Sequence, residues 1–322
     1  MRRREFVTRL GGAAAALSLS WPRAARAQDW PTKPIRVVVT FAPGGAADIW
    51  ARIIAEHLSV ALKQSVVIEN RGGGGGMVAA TQVARAEPDG YTILMGGLAA
   101  QIIAPAIAAN PSFDALRDFT HIAYVGGPPI TWVVPPSSEL RSVDDLIAAA
   151  KADKLSGYAS SGVGTLGHLV VEYVAKRHGL KLTHIPYNTA AFADIIAGRV
   201  PMGSFTWGAA LGQVRGGTLR ALAVTTEMRR PDVSNVPTFK ELGYDLVAST
   251  WFSFSGPKGM PGEVVQRLNR ETVRILDLPE VRRRLTQDAF DPKPLTPEQL
   301  IAFMQSEIAR WTPIAQDAGM KR

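Results

Sequence analysis

Residues 35–62, IRVVVTFAPGGAADIWARIIAEHLSVAL, decide the fold class. IRVVVTF is an apolar run bounded by Pro34 and APGG, which predicts a buried strand. Beyond the glycines, apolar residues recur at 49, 50, 53, 54, 58 and 61–62, the spacing of a helix with one buried face. A buried strand, a glycine turn and a helix form one half of a parallel strand–helix–strand unit.

Moving outward, SVVIEN (65–70) reads as a second strand. RGGGGGMVAATQVARAEPDG (71–90) is a glycine loop opening a helix that stops at Pro88-Asp89-Gly90. YTILMGG (91–97) is a third strand, and AAQIIAPAIAA (99–109) an apolar helix. This alternation predicts a parallel sheet with covering helices. From about residue 120 the pattern restarts, with strands at HIAYVGG (121–127), ITWVVPP (130–136), LSGYASS (155–161), LTHIPY (182–187), VPMGSFTW (200–207) and RALAVTT (220–226). Helices fall between them, one opened by a capping pattern at Ser142–Asp145. STWFSFSGP (249–257) reads as a return crossing, and Thr296-Pro297-Glu298-Gln299 starts a final helix. The expectation is two α/β domains around a cleft. Glycine loops at 42–45, 72–76 and 162–167 sit at strand ends, where open α/β sheets bind ligands.

The first 27 residues differ in kind. A basic head, MRRREFVTRL, precedes the small apolar run GGAAAALSLS, and Ala25-Arg26-Ala27 supplies an A-x-A cleavage pattern. Arg3-Arg4-Glu5-Phe6-Val7 also fits a twin-arginine signal, with general secretion as the alternative. A signal peptide over 1–27 and a soluble periplasmic product follow. The leader carries six Arg and one Glu, a net of +5, so the total of +8 leaves about +3 on the mature chain. That is too little, and too scattered, for a nucleic-acid face. The absence of Cys excludes a disulfide or a lipidated cysteine.

Pro43-Gly44-Gly45 follows the first strand and opens the first helix, a place suited to a carboxylate or phosphate or to a plain turn. Asp48, one turn in, suits the helix dipole, Arg52 at i+4, or a ligand hydroxyl or amine. SSGVGTLGH (160–168) contains G-x-G-x-x-G from Gly162 to Gly167. A dinucleotide fold needs an apolar strand before it and an acidic strand end about 20 residues on. Here the strand is polar and the next one ends in Tyr187-Asn188, so no nucleotide cofactor is expected. Ser160, Ser161 and Thr165 instead offer hydroxyl donors beside a helix start. No nucleophile elbow, no Cys nucleophile and no close metal-ligand pair occurs, and among the five histidines only His168 adjoins a candidate loop.

PTKPIRVVVTFAPGGAADIWAR (31–52), VVIENRGGGGGMVAA (66–80), DGYTILMG (89–96), SSGVGTLGHL (160–169), THIPYN (183–188), LRALAVTT (219–226) and DVSNVPTFKELGY (232–244) occur in this order. On these motifs the mature chain resembles the substrate-binding proteins of the tripartite tricarboxylate transporter system, the Bug family. The resemblance implies a two-lobed periplasmic binding-protein fold, type II-like. Its lobes are expected at 28–128 plus 252–322 and at 129–251. It implies a non-enzymatic receptor that is a monomer, holds a small organic carboxylate, needs no metal or cofactor, and serves integral membrane permease subunits. A sensor that presents its ligand to a signalling partner is the alternative, and a periplasmic α/β enzyme a third. The family's carboxylate grip falls on Phe41, Pro43, Gly44, Gly45, Ala46 and Asp48 in one lobe. In the other it falls on Ser160, Ser161, Gly162, Gly164 and Thr165, with His168 and Tyr187 nearby. The family often carries an Asp where this chain has Ser204-Phe205-Thr206-Trp207. If Phe205 and Trp207 face the cleft, they favour an apolar or aromatic acid; if they face away, they are core.

Overall fold

The computed structural model describes residues 30–187 and 191–318. The chain divides into two compact units, Met1–Thr32 and Lys33–Arg322, and every element below belongs to the second. The signal peptide expected over residues 1–27, with cleavage after Ala27, lies outside the described residues.

Among the described residues, ten strands form two five-stranded sheets. The first contains β1 (Ile35–Val39), β2 (Val66–Asn70), β3 (Thr92–Gly97), β4 (Phe119–Gly126) and β10 (Phe252–Pro257), in the order β2-β1-β3-β10-β4. The second contains β5 (Ile130–Val134), β6 (Gly157–Ser160), β7 (Thr183–Pro186), β8 (Gly203–Thr206) and β9 (Arg220–Val224), in the order β7-β6-β8-β5-β9. β1 pairs in parallel with β2 and β3, and β6 with β7 and β8. The sheets are nevertheless mixed, not wholly parallel. β10 runs antiparallel between β3 and β4, and β5 antiparallel between β8 and β9. Each antiparallel lane is a strand delivered by a crossing of the chain. The new pattern therefore starts at Ile130, not near 120: the segment 119–126 pairs with β10 and completes the first sheet.

The helices are α1 (Ala46–Leu62), α2 (Met77–Ala84), α3 (Ala104–Ile107), α4 (Val143–Lys151), α5 (Leu166–His178), α6 (Phe192–Ile196), α7 (Trp207–Arg215), α8 (Gly262–Leu276), α9 (Pro279–Gln287) and α10 (Pro297–Asp317). A π-helical turn, Ala99–Ile103, leads into α3. β1 is buried through Val37, Val38 and Val39, as an apolar run requires. α1 turns Trp50, Ile54 and Leu58 inward at i, i+4 and i+8, with Ala47, Ala51 and Ala55 filling the gaps. One hydrophobic cluster joins Ile103 and Tyr124 on the first-sheet side to Trp132, Leu166 and Val170 on the second, with Met304 and Trp311 of α10 packed in.

The two crossings lie side by side. Pro129 and Ser249 form an antiparallel bridge, and the Thr250 N–H donates to the Pro128 carbonyl at 2.8 Å. A Cβ on Gly127 would stand 1.8 Å from the Thr250 carbonyl oxygen, so only glycine lets the strands approach this closely.

Candidate functional site

A cavity of about 460 Å³ opens between segments of both sheets, with the starts of α1, α5 and α7 contributing to its wall. Its lining is mostly apolar, with Phe41, Trp50, Ile130, Phe205, Phe252 and Phe290 among the large members. This is the volume and chemistry of a small-molecule site.

The first loop enters as its composition requires. Gly44 has φ +81° and Gly45 φ −76°, so the turn needs glycine at 44 but only open space at 45. Residues 41–47 line the cavity. The first-turn N–H groups of α1 have no intrahelical acceptor and carry the positive end of the helix dipole. Asp48 is not part of that surface. It is 3% exposed, and its carboxylate accepts from Gly44 N–H at 2.9 Å, Arg52 Nε at 3.0 Å and Asn70 Nδ2 at 2.9 Å. Burial opposes its ionisation, but Arg52, Gly44 and Asn70 outweigh it and hold its pKa below the ordinary carboxylate value. Asp48 is thus the clamp that shapes the loop. Asn70 also donates to the Phe41 carbonyl at 3.0 Å, tying the second strand to the same turn.

In the second loop Ser161 and Thr165 line the cavity, as does Gly167. Ser160 lies beneath: it is fully buried, and its hydroxyl meets His184 Nε2 at 2.7 Å and Gly162 N–H at 3.2 Å. Thr165 is the N-cap of α5. Its hydroxyl donates to the Gly162 carbonyl at 2.8 Å and accepts from His168 N–H at 3.3 Å. Its single proton is therefore committed to the loop, which corrects the expectation of a donor aimed at a ligand. Ser161 remains as the exposed hydroxyl of this turn. Gly162 and Gly164 shape the turn, and Gly164 N–H donates to His168 Nδ1 at 3.3 Å. His168 is 5% exposed and stacks on His184 with ring centroids 3.9 Å apart. Burial lowers the His184 pKa to about 4, so the His184 ring is neutral near pH 7. Under it, Tyr158 hydrogen-bonds Glu172, and burial raises the pKa of both.

Tyr187 does not reach the cavity lining; its hydroxyl donates to Asp194 at 2.5 Å. The aromatic pair is split, and only the Trp207 expectation is corrected. Phe205 touches the cavity wall, but its ring packs edge-on against Phe192 at 5.2 Å, in a cluster with Ile195. Trp207 is fully buried among Val224 and Val236 and does not line the cavity. The glycine loop 72–76 is a packing loop: a Cβ on Gly75 would lie 3.0 Å from the Val163 carbonyl.

Composition and motif reading did not find Trp50, Ser204, Arg284, Asp288 and Phe290. Trp50 Nε1 and Ser204 Oγ are buried without a partner among the described residues, and both residues line the cavity. The period of α1 gave Trp50 only as a core residue. The last three come from α9 and its exit, where no motif marks them.

The comparisons agree with this geometry. The family model described as the tripartite tricarboxylate transporter family receptor matches residues 50–320. Protein BugT of Bordetella pertussis is 34% identical over 301 residues, covering 92% of each chain. Among solved structures, the R. palustris protein Rpa4515 with adipate is 33% identical, with a TM-score of 0.84 over 90% of this chain and 98% of its own. MatC from Rhodopseudomonas palustris with bound malate is 28% identical, with a TM-score of 0.83 over 89% and 100%. With the two-sheet fold, the interlobe cavity and a family match over most of its length, this chain belongs to the tripartite tricarboxylate transporter receptors, a family of periplasmic binding proteins.

Proposed function

We propose that the chain captures a small organic carboxylate in this cavity, between lobes 28–128 plus 252–322 and 129–251, and delivers it to integral membrane permease subunits. The observation that carries the reading is the meeting of two helix starts, α1 and α5, at one apolar cavity. Their unpaired N–H groups and dipoles favour an anion without a bound cation. Ser161 adds a hydroxyl, and the partnerless Trp50 Nε1 and Ser204 Oγ are further polar groups in the same wall. Relatives solved with adipate and malate support the ligand class.

The site favours capture over turnover. The Ser160–His184 pair is shut beneath the loop, and the Thr165 proton is committed to the Gly162 carbonyl. The site lies in the periplasm if the leader is processed after Ala27.

The test is calorimetry and thermal shift with a panel of aliphatic and aromatic acids. An acid at 100 times its Kd should add about 2.7 kcal/mol of stability. Gly45→Val is the matched control. A Cβ there meets only the Ala42 carbonyl at 3.5 Å, and φ suits valine, so the variant should fold and lose binding. Unchanged affinity in a folded Gly45→Val, or no response to any acid, would overturn the reading. Delivery is read by acid uptake in cells lacking the chain, with and without its return.

A further inference from the structure

The two loops account for one acidic group of a ligand. Among the described residues that line the cavity, only Arg284 and Asp288 are charged. They form an i,i+4 pair at the end of α9, with Arg284 Nε donating to Asp288 Oδ2 at 3.0 Å. The Arg284 side chain is about half exposed, 49%, and the Asp288 side chain 21%. Arg284 Nε is held by Asp288 Oδ2, and the two Nη groups of Arg284 have no partner among the described residues. Asp288 also lies against the start of α7, where a Cβ on Gly208 would be 3.7 Å from its Cβ. The guanidinium keeps donors to spare in a planar fork that matches a carboxylate.

We propose that Arg284 binds a second acidic group of the ligand, with Asp288 as its positioning residue. The chain then prefers dicarboxylates with an apolar middle over monocarboxylates. This rests on the carboxylate reading above. The same lining supports each part of such a ligand: helix starts for one anion, Phe252 and Phe290 for the methylenes, and Arg284 for the second anion.

The experiment is calorimetry on the full chain, with straight-chain diacids of four to eight carbons and monoacids of the same lengths. At the best length the diacid should bind about tenfold tighter or more, the worth of one charge-assisted hydrogen bond. Arg284→Met should bring the diacid to within about threefold of the monoacid and leave the monoacid unchanged. Asp288→Asn, which loosens the placement of the guanidinium, should narrow the diacid preference and leave the monoacid unchanged; it serves as the second variant if Arg284→Met melts early. Acid binding with no diacid preference, equal loss of both acids in Arg284→Met, or tightest binding by an amino-bearing acid would overturn this proposal alone. No binding of any acid by the unaltered chain would overturn the carboxylate reading with it.

Discussion

Thr165 shows how one hydroxyl can serve a site without touching what the site holds. Its oxygen caps α5 while its proton closes the turn onto the Gly162 carbonyl. Thr165→Ala is therefore expected to act on stability first, at about 1 kcal/mol for a lost N-cap. Urea denaturation should show the midpoint falling, with Thr165→Ser restoring it. Any affinity lost should follow from a loosened turn and return with the serine. Asp48 belongs to the same class of residue. The sequence offered both a dipole partner and a ligand contact, and burial with three donors decides for the scaffold.

At the scale of elements, α1 ends on Lys63, whose φ of +54° is a left-handed conformation that costs a side-chain-bearing residue about 1–2 kcal/mol. Lys63 is exposed. Lys63→Gly should therefore raise stability by about 0.5–1 kcal/mol after the added chain entropy is subtracted, read as a higher melting temperature at equal acid affinity. Such elements were largely legible. β1, its glycine turn and α1 follow from burial and period, and the Thr296 capping box forms in full. The antiparallel lanes were not legible, because a strand carries no mark of which neighbour it will meet. The register of β8 was hidden for a related reason. Alternation says that Phe205 opposes Ser204 but not which face meets the cavity; both residues line it, and the Phe205 ring also packs against Phe192 and Ile195 of α6. Arg284 stayed unseen because α9 is a charged helix whose tip meets the cavity only through the fold.

For the whole molecule, acid should be destabilising well above the carboxylate range. His121 is 2% exposed; its Nε2–H donates to the Ala115 carbonyl and its Nδ1 accepts from Ser255, each at 3.0 Å. Burial lowers its pKa to about 4, against about 6.5 in the unfolded chain. The unfolded state therefore takes the proton first. The contribution is complete above about pH 6.5 and is lost as pH falls toward 4, on the order of 3 kcal/mol. His184, held near 4 by burial, acts in the same direction. The melting temperature should drop between pH 7 and 4.5, and His121→Gln should flatten that slope; an unchanged slope in the variant would exclude His121 as the cause. The crossing strands bear on a different property, the order of assembly. All five strands of the second sheet lie between residues 130 and 224, so a chain arriving from its N-terminus holds that sheet complete once Val224 has emerged. β10 is the lane between β3 and β4, and it does not exist until residue 257 is present. The half of the protein that begins the sequence is the half that must wait, the lane beside its edge strand β4 vacant, for the chain to return.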